Sequence, residues 1–182
     1  NLRETPVAVS GLAAGVVAIA AGKAHTCALL QGGQVRCWGA NDRGQLGDGT
    51  RMQRPQPVDA GPFSGPVTAL SAGEEHTCAV VAGASLVCWG RNDTGQLGDG
   101  SFEERLRPAA VQGFASGVSA VGAGHYHTCA VRNGGVSCWG RGEEGQLGDG
   151  QFATRAVPTA VPGLGAAMRS VGGGRFHGCA LS

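Results

Sequence analysis

The chain has 182 residues, 34 of them glycine, with 15% charged residues, 5% aromatic residues and a formal net charge of +1. Because lysine and arginine form no run, the basic footprint of a nucleic-acid-binding protein is missing, and we expect no nucleic acid as a direct partner. The apolar stretch at residues 11–21 is short and rich in small residues, so we expect no membrane insertion.

A histidine-x-cysteine motif recurs along the chain at a nearly constant interval. The histidines are His25, His76, His127 and His177, spaced by 51, 51 and 50 residues. In the first three copies a Cys-Trp-Gly motif follows shortly afterwards. So regular a period is typical of a repeat architecture, in which every repeat forms one supersecondary unit.

The first predicted element belongs to this period. The Arg-x-x-Pro motif that begins at Arg3 recurs at Arg54, Arg105 and Arg155, and a short apolar segment follows each copy. Proline is tolerated in an edge strand, where the missing N–H costs little. Residues 1–9 are therefore predicted to form the outer strand of a preceding repeat.

A segment of small apolar residues precedes each histidine motif. These segments are residues 16–22, 67–73, 118–124 and 168–174. Small side chains suit strands that converge on a common axis. We interpret each segment as the innermost strand of a wedge-shaped sheet.

The histidine and Cys-Trp-Gly motifs predict a β-hairpin that supplies the second and third strands. If Cys27 lies opposite Cys37, residues 31–33 remain as the loop, and the same register leaves residues 82–84 in the second copy. The shorter third copy leaves Asn133 and Gly134, a dipeptide suited to a two-residue type I′ turn.

Cysteines that face each other across antiparallel strands lie near disulfide distance. The predicted bridges are Cys27–Cys37, Cys78–Cys88 and Cys129–Cys138, and Cys179 of the fourth copy is left as an unpaired thiol. Paired cysteines are typical of an oxidising compartment, so we expect secretion or display at the cell surface.

A glycine-rich loop and the next Arg-x-x-Pro strand complete each period. The loops are residues 41–49, 92–100 and 142–150. Four strands in a period of this length are the pattern of a propeller blade. The predicted units are an outer strand at 1–9, blades at 10–60, 61–111 and 112–161, and the first two strands of an incomplete blade at 162–182.

The order His-x-Cys-Ala-Leu, then Cys-Trp-Gly-x-Asn-x-x-Gly-Gln-Leu-Gly-Asp-Gly, resembles the repeats of the regulator of chromosome condensation family over essentially the whole chain. The resemblance implies an all-β propeller of four-stranded blades, seven-bladed when complete, of which this chain holds about three and a half. The paired cysteines resemble the bacterial, exported branch. The remainder of a longer chain or a second polypeptide is then expected to complete the ring.

Two sets of residues invite a metal hypothesis. His25, Cys27 and Cys37 could bind zinc if the thiols were reduced, but their spacing is unusual for a structural zinc site and a fourth ligand is missing. Asp48 and its equivalents suggest calcium, but their loops lack the alternating carboxylates of a calcium site. We expect neither a metal nor a cofactor.

The repeat varies most between the first and second strands. The residues there are Glu74, Glu75, His125, Tyr126, Arg175 and Phe176. Departures from a repeat mark where a binding face is specialised, so these six residues are the candidate binding loop. The expected function is a non-catalytic scaffold that binds a protein partner. The alternatives are guanine-nucleotide exchange on a small GTPase, which the family resemblance implies, and a structural role in an extracellular assembly.

Overall fold

Three four-stranded antiparallel sheets follow one another along the chain, and a two-stranded sheet follows the third. They are seen in a computed structural model that describes residues 5–12, 14–165 and 167–182. Within each sheet the strands pair in sequence order, so every repeat is a simple meander. The predicted all-β architecture of four-stranded blades, about three and a half of them, is confirmed.

The strand bounds follow the repeat closely. The first blade contains β1 (Val16–Ala21), β2 (His25–Leu30), β3 (Val35–Gly39) and β4 (Arg54–Asp59). The second contains β5 (Val67–Ala72), β6 (His76–Val81), β7 (Ser85–Gly90) and β8 (Arg105–Ala110). The third contains β9 (Val118–Ala123), β10 (His127–Arg132), β11 (Gly135–Gly140) and β12 (Arg155–Ala160). The last two strands are β13 (Ser170–Gly173) and β14 (Gly178–Leu181).

The part of the predicted outer strand at residues 1–9 that the structure describes is not in a strand conformation. Residues 1–4 lie outside the described residues, and residues 5–9 adopt no strand conformation. An outer strand needs the third strand of its own blade as a hydrogen-bonding partner, as β4 has β3. The described residues offer residues 5–9 no such strand. The proposed unit boundaries stay a prediction.

The hairpin register agrees with the one predicted from the cysteines. Cys27 lies opposite Cys37, and the equivalent cysteines of the next two blades face each other in the same way. In the third hairpin Arg132 pairs with Gly135, which leaves Asn133 and Gly134 as the turn with φ of 51° and 80°. Positive φ at both turn residues is what a type I′ turn requires.

Three cysteine pairs lie at disulfide distance. Their sulfur–sulfur separations are 2.11, 2.12 and 2.13 Å for Cys27–Cys37, Cys78–Cys88 and Cys129–Cys138. All six side chains are buried, whereas Cys179 is exposed and unpaired in the described part of the chain. Each pair joins the two central strands of a blade.

The hydrophobic core lies between the blades. One cluster combines Leu29 and Leu46 of the first blade with Val67, Val81 and Trp89 of the second. A second cluster joins the second and third blades in the same manner, around Trp139. Because each four-stranded sheet buries its faces against its neighbours, adjacent blades stabilise each other.

A buried network of hydrogen bonds joins the first blade to the second. The backbone oxygen of Gln45, in the first blade, accepts hydrogen bonds from the Thr77 hydroxyl and from the Trp89 indole N–H, both at 2.9 Å. The imidazole Nε2 of His25 lies 3.0 Å from the same Thr77 hydroxyl. The threonine and tryptophan positions of the repeat motif therefore bind one carbonyl group, and the histidine position joins them through the threonine hydroxyl.

The second and third blades repeat this arrangement. Thr128 and Trp139 donate to the backbone oxygen of Gln96 at 2.8 and 3.0 Å, and His76 lies 2.9 Å from the Thr128 hydroxyl. Since each threonine uses its proton to reach the carbonyl, its oxygen must accept from the histidine. The network therefore requires a proton on Nε2 of the histidine, and because burial lowers the pKa of His25 and His76, this is the one ring proton at neutral pH.

Glycine at the end of each inner strand makes room for the histidine. A Cβ added to Gly73 would lie 2.1 Å from Cε1 of His76 and 2.5 Å from the backbone oxygen of Gly124. Both distances are far below van der Waals contact, and the second atom belongs to the neighbouring blade. At this end of each inner strand, the close approach of the histidine and of the neighbouring blade therefore requires the small residues that the sequence predicts.

We expect the six paired cysteines to resist a thiol-alkylating reagent in denaturant and to react only after reduction, because the two cysteines of each pair face each other across adjacent antiparallel strands. The measurement is the intact mass of the denatured protein after alkylation, with and without a reductant. Modification of these six cysteines without reduction would show that the thiols are free.

We also expect the free energy of unfolding to fall as the pH is lowered from about 6.5 to about 4. Burial lowers the pKa of His25 to about 4 and that of His76 to about 3, against 6.5 for the exposed side chain. In this interval the unfolded chain binds more protons than the folded chain, so each histidine weakens folding by up to about 1.4 kcal/mol per pH unit.

The check is the thermal midpoint measured across this pH range for the wild type and for His76→Gln. Glutamine keeps an N–H donor but does not titrate, so the variant should show a shallower pH dependence. An unchanged slope in the variant would contradict the assignment of this effect to the histidine.

Candidate functional site

The loops between the first and second strands of successive blades lie side by side at the inner ends of the sheets. We call residues 22–24, 73–75, 124–126 and 174–176 the axial loops. Backbone hydrogen bonds link them in a row: Lys23 N–H donates to the Glu74 oxygen at 3.1 Å, Glu74 N–H to His125 at 3.4 Å, and His125 N–H to Gly174 at 3.0 Å. Residues about 50 positions apart in the sequence are thereby brought together.

An open cavity of about 560 Å³ lies between the axial loops. Alanine and glycine at the ends of the four inner strands form much of its lining, so few side chains fill it. Its charged and aromatic lining residues are Lys23, Glu74, His125, Tyr126 and Arg175. Of the six predicted binding residues, four line this cavity; Glu75 and Phe176 lie beside it.

Glu74 is the central charged group of the cavity. Its side chain is 2% exposed, with Oε1 2.5 Å from Nζ of Lys23 and Oε2 2.7 Å from Nε2 of His125. Burial is the largest influence on Glu74 and alone would raise its pKa, but the hydrogen bonds from Lys23 and Tyr126 and the neighbouring positive charge together outweigh burial, and the pKa lies below its usual value. Glu74 is therefore ionised at neutral pH and holds two neighbouring side chains in place.

The two partners of Glu74 differ in charge at neutral pH. The hydrogen bond to Glu74 raises the pKa of Lys23, which stays protonated. Burial lowers the pKa of His125, and the attraction of the Glu74 carboxylate offsets only part of this effect. The cavity therefore contains an ammonium group and a neutral imidazole on either side of one carboxylate.

Arginine–aromatic pairs connect neighbouring blades beside the cavity. The guanidinium of Arg91 lies 4.7 Å from the ring centre of Tyr126, and that of Arg141 lies 5.9 Å from the ring centre of Phe176. Arg91 and Arg141 occupy the same place in the repeat, directly after Cys-Trp-Gly. The contact between a cation and an aromatic face is attractive and fixes both side chains.

Carboxylates next to these arginines compensate their charge. Arg91 is paired with Glu75 at 2.9 Å and with Asp93 at 2.6 Å, and the hydrogen bonds that Arg91 donates to Asp93 raise the pKa of Arg91. Glu75 thus contributes to the rim by orienting Arg91.

Sequence reasoning missed Lys23, Arg91 and Arg141. Lys23 stands 51 residues before Glu74, in the same repeat position, and that alignment could have found it. The two arginines follow a motif that was assigned to the hairpin, so only their contacts with Tyr126 and Phe176 reveal their place on the rim.

The acidic residue of the glycine-rich loop is engaged in turn structure. Oδ1 of Asp48 accepts hydrogen bonds from the backbone N–H and hydroxyl of Thr50, at 2.9 and 2.8 Å, and Oδ2 accepts from Arg54 at 2.8 Å. Burial favours the protonated acid, but these bonds outweigh it and lower the pKa of Asp48. The carboxylate therefore stabilises the loop that presents the Gln45 carbonyl.

Among the described residues, no cluster of three or more histidine, cysteine or acidic side chains has the geometry to hold a metal ion. The same part of the chain contains no helix whose length and apolar character would let it cross a membrane.

The chain is similar to part of several known proteins. It is 37% identical to the human E3 ubiquitin-protein ligase HERC2 over 142 residues, which are 71% of this chain and 3% of HERC2. Its fold matches Prp20p from Saccharomyces cerevisiae with a TM-score of 0.75 and 27% identity, over 92% of this chain and 44% of Prp20p. It also matches the ectodomain of the Physcomitrella patens receptor kinase CR4 with a TM-score of 0.59 and 26% identity, over 97% of this chain and 41% of that one.

The match covers less than a third of the length of the curated relatives. One profile of the regulator of chromosome condensation (RCC1) repeat matches residues 16–45, 67–96 and 118–146. A second profile of the same repeat matches residues 32–80, 85–131 and 133–181. Since these matches span most of the chain and agree with its blades, the chain belongs to the RCC1 repeat family.

Proposed function

We propose that this chain is a segment of a disulfide-reinforced propeller that binds a protein partner through its axial loops and performs no chemical step. One observation carries this proposal. The repeated histidine, threonine, tryptophan and glutamine make the same buried contacts between successive blades, whereas the axial loops differ in every repeat. A constant frame with variable loops is how repeat proteins build binding surfaces.

The composition of the rim supports this role. Tyr126, Phe176 and the arginines Arg91, Arg141 and Arg175 lie on or beside the axial loops. Aromatic residues and arginine are enriched at the centres of protein interfaces. Contacts between these side chains already restrict them in the free protein, which lowers the conformational entropy that binding costs.

The disulfide-distance cysteine pairs support an extracellular location for this activity, since such pairs persist in oxidising compartments. The similarity to the CR4 ectodomain is consistent with that location. We further propose that blades from a longer chain or a second polypeptide complete the ring, because this chain spans 44% of Prp20p. A structural role in an extracellular assembly would use the same rim.

The test is site-specific photo-crosslinking in the native setting. A photoreactive phenylalanine analogue at Phe176, which is exposed on the rim, should form a discrete covalent adduct with a partner protein. The same analogue at Gln31, exposed in the turn between β2 and β3 at the opposite end of the first blade, is the matched control and should form no such adduct.

The adduct should weaken severalfold when Tyr126 is replaced by serine, because this removes the aromatic partner of Arg91. Adducts from Gln31 alone, or from neither position, would contradict the proposal that the axial loops are the binding face.

Nucleotide exchange on a small GTPase is the second candidate, favoured by the similarity to Prp20p, which was described together with its binding to Gsp1p. We expect the chain to leave the release of fluorescent GDP from a panel of small GTPases at its spontaneous rate, because the rim shows no wedge inserted between the axial loops in the described residues. An exchange factor of the same family serves as the positive control. Release accelerated tenfold or more would favour exchange activity.

A further inference from the structure

We infer that the axial cavity binds a carboxylate of the partner, between Lys23 and Arg175. The occupant is a peptide segment that carries one aspartate or glutamate among neutral or basic residues. This inference rests on the proposed function, because it names the chemistry of the partner at the same loops.

The charge that the cavity presents to solvent is positive. Glu74 is buried, with a side chain that is 2% exposed, whereas Lys23 is 63% exposed and Arg175 is exposed. The ammonium of Lys23 compensates Glu74, and His125 is neutral because burial lowers its pKa. The guanidinium of Arg175 remains as the uncompensated charge of this group.

Glu74 positions Lys23 without using all of its hydrogen-bonding capacity. An ammonium group has three donors, and Glu74 accepts one of them through Oε1 at 2.5 Å. The other oxygen of Glu74 is directed to His125 at 2.7 Å. Among the residues that the structure describes, two donors of Lys23 are therefore left for an incoming carboxylate, while the contact with Glu74 holds the ammonium at the cavity.

Arg175 differs from the other arginines of the rim in having no carboxylate partner in the described part of the chain. Arg91 is paired with Glu75 and Asp93, and Arg141 is paired with glutamates that follow it in its own loop. The guanidinium of Arg175 instead lies 5.0 Å from the ring centre of Phe176. Its planar fork is the group that binds a carboxylate most strongly through two parallel hydrogen bonds.

The charges around the cavity favour a ligand with one acidic side chain over a polyanion. Asp93, Glu143 and Glu144 lie further out on the same rim, with side chains 47%, 64% and 35% exposed. These carboxylates repel a nucleic acid, an anionic membrane or a run of acidic residues. They favour a segment in which residues flanking the single acid are neutral or basic.

The space available fits a side chain that enters from solvent. The cavity of about 560 Å³ is lined at the strand ends by alanine and glycine, so one glutamate and part of its backbone can enter without displacing a protein side chain. The larger side chains of the lining are all polar or charged, which suits an acidic group better than an apolar one.

The experiment is an NMR titration of the isotope-labelled protein with two blocked peptides, acetyl-Lys-Gly-Ser-Glu-Ser-Gly-Lys-amide and its counterpart with glutamine in place of glutamate. We expect the glutamate peptide to bind at least about tenfold more tightly and to shift the resonances of residues 23, 125 and 175. The preference should weaken at high salt, because both cations are accessible to solvent.

Variants separate the site from general charge effects. Combining Lys23→Gln with Arg175→Gln should abolish the preference for glutamate. The control is Arg36→Gln, which removes the same kind of charge from an exposed pair with Asp59 near the opposite end of the first blade and should leave the preference unchanged. Thermal midpoints equal to the wild type would establish that all variants are folded.

Equal binding of the two peptides, or a preference that survives in the Lys23→Gln, Arg175→Gln variant, would overturn the inference. Tighter binding of poly-glutamate, of an oligonucleotide or of phosphatidylserine vesicles than of the glutamate peptide would also overturn it, since it would identify a polyanion site. If Phe176 crosslinks a partner but the peptides are not distinguished, only this inference fails. If the crosslink is absent as well, the proposed function fails with it.

Discussion

The structure depends on one carbonyl group in the first blade and one in the second, each of which accepts two hydrogen bonds from the following blade. The backbone oxygen of Gln45 is buried between the first and second blades, where it would destabilise the fold if it had no donor. The Thr77 hydroxyl and the Trp89 indole supply two donors. His25, in the same blade as Gln45, donates in turn to the Thr77 hydroxyl. Because hydroxyl and indole donors are directional, this network specifies the angle between blades, which apolar packing alone would leave loosely defined.

The constraint explains which residues are free to vary. Gly73 must stay small, because His76 and the Gly124 carbonyl approach it closely. The residues directly after it, Glu74 and Glu75, leave the network and turn toward the cavity and the rim. The loop thus begins at a position that tolerates hardly any substitution. It continues into positions whose side chains can determine binding specificity. In the fourth repeat Gly178 stands where the earlier repeats have threonine, so the hydroxyl that would meet His127 is absent there.

The repeat made much of the fold accessible from the sequence. The hairpin register followed from opposing Cys27 and Cys37, and the turn at Asn133 and Gly134 followed from the shorter third copy. Both predictions depend on local geometry, because a fixed strand spacing and a fixed turn length allow one hairpin register. Residues 5–9 of the outer strand expected at residues 1–9 are not in a strand, because strand formation needs a partner strand that the described residues do not supply, and the unit itself stays a prediction.

The sequence by itself determined the period, the four-strand blade, the cysteine pairing pattern and the loop positions at which the repeats diverge. Only the tertiary structure decided that Lys23, Glu74 and His125 meet in one cavity, and that Arg91 is compensated whereas Arg175 has no carboxylate partner among the described residues. The physical reason is the sequence separation over which each kind of interaction acts. Turn and strand preferences act over a few residues, whereas the charge environment of the cavity arises from side chains about 50 residues apart that meet only when the blades pack.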